Sequence, residues 1–228
     1  MTDKCCSPSF ELELQALEEG ADIVIGIDEV GRGALAGPLV VGACAFSKDR
    51  IPEGIDDSKR LSPAFRAKLA KRIEAVALSW AIARVDAWEI DRMGLSWALR
   101  QAARNAARLA LETIDFPEAT SAYFLVDGKV SLLGEDVPGE DSVEIPLLKG
   151  DSRSVSVAAA SIIAKVHRDS LMVRMGDVYP NYRFEEHKGY GTAEHIRALL
   201  EHGPSPIHRR SFAPVRATMQ RRLVFGGA

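Results

Sequence analysis

The sequence is poor in the residues and runs that mark several common protein classes. Three cysteines in 228 residues are too few for a disulfide framework, and Cys5, Cys6 and Cys44 lack the spacing of a zinc site. No apolar run reaches the roughly 18 residues that a membrane-spanning helix needs. The first twenty residues are polar and acidic, without the pattern of a secretory signal. We therefore expect a cytoplasmic protein that does not contact a membrane.

The charge of the chain is unevenly distributed. The net charge of −3 does not by itself indicate a nucleic-acid partner. Residues 151–228, however, hold 12 basic and 7 acidic residues, whereas residues 1–150 hold 17 and 25. A basic surface combined with an acidic metal site would suit a polyanionic substrate. Chance asymmetry on a solvated surface explains the same numbers equally well.

Hydrophobic patterning predicts an α/β fold. Apolar or alternating runs indicate five strands, at residues 21–29, 39–46, 79–87, 122–126 and 143–148. Helical spacing and caps indicate helices after Ser62, over 88–112 with an interruption at Gly94, over 155–175, and from Thr192 to Gly203. We expect Trp80, Trp88 and Trp97 to pack in the core. The predicted organisation is a tail or short helix at 1–20, one domain at 21–190 and a C-terminal helical extension at 191–228.

Acidic residues follow three of the predicted strands. Asp28 and Glu29 end the first strand, Asp127 ends the fourth, and Asp151 follows the fifth. Ligands of open α/β sheets gather at such strand ends, so these carboxylates are expected to converge. Each acid alone has a simpler explanation: a solvated turn for Asp28 and Glu29, a turn for Asp127, and a helix cap for Asp151. Their recurrence at the ends of apolar strands favours a metal site.

The chemistry of these acids indicates the metal. Converging carboxylates repel one another unless cations lie between them, and hard oxygen ligands favour Mg²⁺ or Mn²⁺ over zinc. Two such ions can hydrolyse a phosphodiester. Neighbouring side chains of a regular strand point to opposite faces, so Asp28 and Glu29 share a site only if the chain bends or Glu29 uses its carbonyl. Gly31 and Gly33 make a bend plausible.

Several motifs, taken together and in order, closely resemble those of the type 2 ribonuclease H (ribonuclease HII) family. The resemblance covers about residues 21–216. Ala34 departs from it, since the family often has proline at that position. The motifs are residues 27–38 (IDEVGRGALAGP), 57–62 (DSKRLS), 126–128 (VDG), 149–152 (KGDS), 158–166 (AAASIIAKV), 187–192 (HKGYGT) and 208–212 (HRRSF).

The resemblance implies a fold and an activity. The fold is ribonuclease H-like, with a mixed central sheet flanked by helices. The activity is that of a metal-dependent endoribonuclease that cleaves the RNA strand of RNA–DNA hybrids and cuts 5′ to single ribonucleotides in duplex DNA, leaving 3′-hydroxyl and 5′-phosphate ends. Such an enzyme acts in ribonucleotide excision repair and RNA primer removal. We expect it to act as a monomer, with two Mg²⁺ or Mn²⁺ ions.

The resemblance also assigns roles to particular residues. The catalytic, metal-binding acids are Asp28, Glu29, Asp127 and Asp151. The loop of Gly31, Arg32 and Gly33 is expected to read the 2′-hydroxyl, which separates RNA from DNA at a single position. Tyr190 is expected to stack on the neighbouring deoxyribose. The expected phosphate contacts are Lys59, Lys149 and Arg168; for Arg209 and Arg210, phosphate contact and structural pairing are equally open.

Two other functions remain open at this point. A DNA nuclease or junction resolvase of related fold would also use clustered carboxylates, but it would not need Tyr190 or the Gly31–Gly33 loop. A hybrid-binding module that has lost catalysis would not need all four acids. Cleavage of a substrate with and without ribose separates these alternatives.

Overall fold

The computed structural model describes residues 7–114 and 121–225, with side chains up to residue 220. Five β-strands and eight α-helices lie within the described residues. The strands are β1 Ile23–Val30, β2 Leu39–Ala45, β3 Ser79–Val85, β4 Ala122–Asp127 and β5 Val143–Leu147. The helices are α1 Glu11–Glu18, α2 Pro63–Val76, α3 Ala87–Met93, α4 Leu95–Glu112, α5 Val155–Val178, α6 Phe184–His187, α7 Ala193–His202 and α8 Ala213–Phe225.

Most of these elements are predicted by the sequence. All five strands are confirmed, as are the helix caps: the side chains of Ser62 and Thr192 accept hydrogen bonds from Phe65 N and His195 N. Gly94 separates α3 from α4 with a φ of 86°, in the left-handed region that favours glycine. Helix α6 is not predicted, because four residues are too few to show helical periodicity.

The sheet is mixed, as predicted, and its strand order is β3-β2-β1-β4-β5. Strand β1 pairs antiparallel with β2 and parallel with β4, and β4 pairs parallel with β5. Every residue of β2 is buried, which explains why its sequence is a continuous apolar run without alternation. Because β1, β4 and β5 are parallel to one another, their carboxyl ends lie at the same edge of the sheet.

Small residues let helix α5 approach the sheet closely. A Cβ atom added at Gly26 of β1 would lie 2.2 Å from the backbone of Ser156 and Val157. One added at Gly42 of β2 would lie 2.4 Å from the carbonyl oxygen of Ala160. Glycine on the strands and alanine on the helix are thus required by backbone-to-backbone packing.

The N-terminal segment is tied to the start of α5. The Glu13 carboxylate in α1 accepts hydrogen bonds at one oxygen, Oε1, from the Ser154 hydroxyl (2.6 Å) and from Ser156 N (2.9 Å). The Ser154 hydroxyl accepts in turn from Val157 N (3.1 Å). Of the tail or short helix predicted for residues 1–20, the structure shows a helix at Glu11–Glu18. Glu13 of this helix helps to cap α5 although it lies more than a hundred residues away in the chain.

The expected burial of the tryptophans is wrong for two of them. Trp80 is 38 % exposed and Trp88 is 60 % exposed. Trp80 lies on β3, whose burial alternates along an edge of the sheet, so that its side chain belongs to the outward-facing set.

Among the described residues, no helix is both long and apolar enough to span a membrane.

The chain forms two compact units, each assembled from separate segments. The first unit comprises Met1–Val30, Val40–Ala83 and Arg100–Val166, and the second comprises Gly31–Leu39, Arg84–Leu99 and His167–Ala228. The domain boundaries predicted from the sequence follow contiguous ranges instead, and they stay a prediction.

We predict that Gly26→Ala destabilises the protein, because the added methyl group would overlap the backbone of α5. The expected loss in free energy of unfolding is about 1–3 kcal/mol. Denaturant unfolding measures it, with Gly33→Ala as the control, since a methyl group there meets open space. Equal stability of the two variants would contradict the close approach.

Candidate active site

Parallel pairing brings the acids at the ends of β1 and β4 side by side in the first unit. Ile27 is in register with Val126, so the next residues, Asp28 and Asp127, leave their strands at the same level. Strand β5 adds the third acid, because Asp127 is in register with Leu147 and the turn after β5 carries Asp151. The structure thus brings Asp28 near Asp127, and Asp127 near Asp151, as the sequence predicts.

Asp28 is a buried carboxyl held by helix α5. The Ser161 hydroxyl hydrogen-bonds to it, and the Ser58 hydroxyl lies 3.0 Å from that of Ser161. Asp28 Oδ1 also accepts from Glu29 N at 2.8 Å. Burial, together with the nearby charges of Asp127 and Glu29, raises the pKa of Asp28 well above its ordinary value, and the hydrogen bonds oppose that rise only in part.

The turn that carries Asp151 is fixed to Asp127. Gly150 N donates to Asp127 Oδ1 at 2.6 Å, and Lys149 has the left-handed φ of 55° that starts the turn. Burial raises the pKa of Asp127, and the charge of Asp151 adds to the rise. Asp151 lies in this 3₁₀ turn and Ser154 caps α5, so the alternative explanation of Asp151 as a helix cap is wrong.

Lys59 is a basic residue whose ammonium group lies beside these acids. Its ammonium lies 3.4 Å from Asp151 Oδ2, while its side chain is 78 % exposed. Partial burial lowers the pKa of Lys59, but the charges of Asp151, Asp57 and Asp28 outweigh that effect, so the pKa is raised overall. Lys59 therefore stays charged at neutral pH and projects from the carboxylate edge, whereas Lys149 is exposed without a described ion pair.

Of the two ways in which Asp28 and Glu29 could share a site, the structure does not show a bend between them. Strand β1 keeps its register with β2 through Glu29 and Val30, so the left-handed turn at Gly31 (φ 88°) begins only after both acids. Regular alternation directs neighbouring side chains to opposite faces. Within residues 7–114 and 121–225, no three His, Cys, Asp or Glu side chains form a group that could hold a metal ion. The four-acid metal site stays a prediction.

The Gly31–Gly33 loop belongs to the second unit and packs against the guanidinium group of Arg168. A Cβ atom at Gly31 would lie 2.2 Å from Arg168 Nε, so only glycine fits there. Ala34 N donates to Gly31 O, closing a turn whose other residues, Arg32 and Gly33, are exposed. The loop thus has a fixed base at Gly31 and an exposed tip at Arg32 and Gly33.

Arg168 is not placed as a phosphate contact, which corrects the expectation for this residue. Its side chain is fully buried. Its nitrogens donate to the carbonyl oxygens of Pro38 (2.9 Å), Lys188 (3.0 Å) and Ala36 (3.1 Å). The planar fork of guanidinium donors matches such carbonyls, and Arg168 therefore joins the two loops from which they come.

Arg209 has the same kind of environment, so of its two open roles the structure supports structural pairing. It is fully buried and donates to Gly37 O through Nε and Nη2 and to Arg32 O through Nη1, all at 3.0–3.1 Å. Burial, reinforced by the charge of Arg168, lowers the pKa of Arg209 to about 9, so it remains charged at neutral pH.

Tyr190 follows a second glycine turn that is bound to the first loop. Gly189 O accepts from Leu35 N and Ala36 N, and a Cβ at Gly189 would lie 2.4 Å from Ala36 O. The Tyr190 ring lies 5.3 Å from the Arg168 guanidinium carbon, and its side chain is partly exposed. The cation–π contact holds the ring while leaving part of it open to a ligand.

Comparison with known proteins identifies this arrangement. A family model described as Ribonuclease HII matches residues 25–215. The chain belongs to the ribonuclease HII family. It is 43 % identical to ribonuclease HII of Caldicellulosiruptor saccharolyticus over 203 residues (89 % of this chain, 93 % of that one). It is 44 % identical to ribonuclease HII of Rhizobium johnstonii over 211 residues (92 % and 86 %).

A solved structure agrees with the assignment. The ribonuclease H2 of Pyrococcus horikoshii OT3 superposes with a TM-score of 0.70 at 26 % identity, over 87 % of this chain and 98 % of that one. The predicted ribonuclease H-like α/β fold is confirmed. Family membership makes the chain a metal-dependent ribonuclease, a hydrolase that acts on RNA–DNA hybrids.

Some residues of this ribonuclease HII chain contribute to the candidate site without having been singled out. Ser161 orients Asp28, and its sequence signal is a hydroxyl inside the small-residue motif 158–166 of α5. His195 and His208 carry no metal-ligand spacing, yet both are buried, and His195 Nδ1 lies 2.9 Å from Tyr190 O. Asp91 accepts hydrogen bonds from Arg210 N and Ser211 N.

We predict that Arg168→Met lowers the free energy of unfolding by about 2–4 kcal/mol, because it leaves buried carbonyl oxygens without donors. Lys149→Met, at an exposed position, should leave stability nearly unchanged. Denaturant unfolding of both variants is the measurement. A stable Arg168→Met variant with weakened hybrid binding would restore the phosphate-contact role.

Proposed function

We propose that this ribonuclease HII also cuts duplex DNA on the 5′ side of a single embedded ribonucleotide, leaving 3′-hydroxyl and 5′-phosphate ends. This activity would serve ribonucleotide excision repair, and cleavage of hybrids would serve RNA primer removal. The observation that carries the proposal is the presence, in one chain, of a strand-end carboxylate group and a loop that offers backbone groups beside a partly exposed tyrosine. The first supports hydrolysis and the second supports selection of one nucleotide.

The strand-end acids have the ligand chemistry of Mg²⁺ or Mn²⁺ sites, and we assign two such ions to them. Asp28, Glu29, Asp127 and Asp151 supply hard oxygen ligands. Burial, with a smaller contribution from the neighbouring carboxylates, raises the pKa values of Asp28 and Asp127, and a divalent cation would offset both effects. When bound, two such ions activate a water and stabilise charge on the leaving oxygen. The four acids would hold them, Asp28 oriented by Ser161 and Asp127 by Gly150 N.

Two exposed lysines are suited to the substrate backbone. Lys59 keeps its charge and extends from the carboxylate edge, and Lys149 starts the turn that carries Asp151. We assign both to phosphate contacts, which position a nucleic acid without reading its sequence. Arg168 and Arg209 have no such role, because backbone carbonyl oxygens occupy their donors.

The second unit supplies the choice of nucleotide. The backbone of Gly31, Arg32 and Gly33 is assigned to the 2′-hydroxyl, a group that both donates and accepts hydrogen bonds. Because Arg209 binds Arg32 O, the loop is already shaped before any substrate arrives. The Tyr190 ring is assigned to the deoxyribose on the 3′ side, where contact with C2′ leaves no room for a hydroxyl.

The decisive assay uses a DNA duplex with one ribonucleotide, tested with Mg²⁺, with Mn²⁺ and with chelator. We expect metal-dependent cutting on the 5′ side of the ribonucleotide and none in an all-DNA duplex. Equal cutting of both duplexes would favour a DNA nuclease, and binding without cutting would favour a hybrid-binding module.

We predict that Asp127→Asn lowers the cleavage rate by about 10²-fold or more, the order seen when a charge-stabilising group is lost. Hybrid binding, measured by fluorescence anisotropy, should change little, because the phosphate contacts remain. Asp177→Asn, at an exposed acid of α5, is the control and should retain the full rate. Full activity of Asp127→Asn would mean that the metal-binding acids are misassigned.

We predict that Tyr190→Ala lowers cleavage at a single ribonucleotide by about tenfold or more relative to a continuous hybrid, because positioning of the junction is lost. Tyr190→Phe keeps the ring and should keep the preference. Rates on the two substrates at saturation measure the ratio. An unchanged ratio in the alanine variant would remove the proposed role.

A further inference from the structure

Three histidines of the second unit pack as a buried aromatic group around the Tyr190 turn. The rings of His187 and His195 stack with centroids 4.3 Å apart, and those of His195 and His208 lie 5.1 Å apart. The edge of Phe184 closes the group at 5.5 Å from the His195 ring. The exposed fractions of His187, His195 and His208 are 8 %, 0 % and 1 %. Contact with water therefore does not explain why polar imidazole rings occupy these positions.

The hydrogen bonds of this group run from one backbone amide to one backbone carbonyl. Ser205 N lies 2.9 Å from His208 Nδ1, and His208 Nε2 lies 2.9 Å from His195 Nε2. His195 Nδ1 then lies 2.9 Å from Tyr190 O. Two imidazole rings thus connect the 203–208 segment to the residue that we assign to the deoxyribose.

The two fixed ends determine where the protons lie. A backbone amide can only donate, so His208 Nδ1 accepts and the neutral His208 ring carries its proton on Nε2. That proton is donated to His195 Nε2, which leaves the His195 proton on Nδ1, where it is donated to Tyr190 O. Adding a proton to either ring would set two N–H groups against each other.

The surroundings keep both rings neutral. Burial lowers the pKa of His195 to about 4 and the pKa of His208 to about 3. The neighbouring charges act in the same direction: His187 faces His195, and His195, His187 and Arg210 face His208. The amide-to-carbonyl chain is therefore complete at neutral pH, with no dependence on a charged partner.

We propose that His195 and His208 are positioning residues that hold the Tyr190 backbone, and through it the Tyr190 ring, in the orientation that selects the nucleotide. The proposal rests on the proposed function, since it explains how the assigned reader of the deoxyribose is oriented. Tyr190 O accepts from His195 Nδ1 and Thr192 N, and Tyr190 N donates to His187 O. Arg168 then fixes the ring from one side.

The catalytic test compares His195→Leu with His195→Asn. Leucine removes the donor to Tyr190 O, whereas the asparagine amide can place a donor where Nδ1 lies. We expect His195→Leu to lower the preference for a single embedded ribonucleotide over a continuous hybrid by about tenfold, as expected for a misplaced contact. His195→Asn should retain the preference, and His202→Leu, at an exposed histidine of the same helix, is the control.

A double variant separates positioning from general destabilisation. If His195 acts through Tyr190, His195→Leu adds nothing to the loss caused by Tyr190→Ala, because contacting residues that act as a unit are not additive. Additive losses, or an equal loss on both substrates that follows the unfolding midpoint, would overturn the proposal. If Tyr190→Ala itself leaves the preference unchanged, the role of Tyr190 under the proposed function is wrong. That failure is distinguishable from a failure of the positioning role of His195, which appears only in the His195 variants.

A measurement on the free protein tests the hydrogen-bond chain without activity. Long-range ¹H–¹⁵N correlation spectra should show His208 protonated on Nε2 and His195 on Nδ1 at neutral pH. The amide signals of Tyr190 and Gly191 should shift in His195→Leu and return toward the native positions in His195→Asn. The opposite tautomers, or a charged ring at neutral pH, would overturn the proposal whatever the activity assays show.

Discussion

Parallel pairing of β1, β4 and β5 is the constraint from which the carboxylate site follows. A parallel ladder aligns the carboxyl ends of its strands, so acids that are about a hundred residues apart in the chain leave the sheet at one level. The close approach of α5 to β1 and β2 then places Ser161 where it can hydrogen-bond to Asp28. The glycines at positions 26 and 42 thus contribute to the chemistry, although neither carries a functional group.

In the second unit, buried side chains hold irregular backbone segments in a defined shape. Its two loops have few ladder hydrogen bonds, and buried polar groups need partners. Arg168, Arg209 and the histidine group supply donors to the loop carbonyls at Arg32, Ala36, Gly37, Pro38, Lys188 and Tyr190. Side chains here replace the secondary structure that the loops lack, so that the exposed loop at Arg32 and Gly33 keeps a defined backbone shape.

The sequence predicts those parts of the molecule that depend on local pattern. The strand and helix ranges follow from apolar spacing, and the caps at Ser62 and Thr192 follow from residue type. The pairing of Asp28 with Asp127 follows from the general behaviour of strand ends.

What the sequence does not predict depends on contacts between distant segments. Arginine is rarely buried, and the family resemblance assigned Arg168 to phosphate contact, whereas carbonyl oxygens from three other residues make its burial possible. His195 and His208 have no spacing rule, because their bond forms between a helix and the segment after it. The sequence leaves a bend at Glu29 open, and the structure shows none because pairing with β2 continues through Val30.

The buried arginines also have a consequence for how the protein responds to salt. Carbonyl oxygens hold the guanidinium groups of Arg168 and Arg209 without neutralising them, so each remains a fixed positive charge inside the second unit. Counterions screen the charges of buried groups far less than they screen the charges of exposed lysines. Added salt should therefore weaken the hydrogen bonds of Arg168 and Arg209 to the loop carbonyls less than it weakens the contacts of exposed lysines such as Lys59.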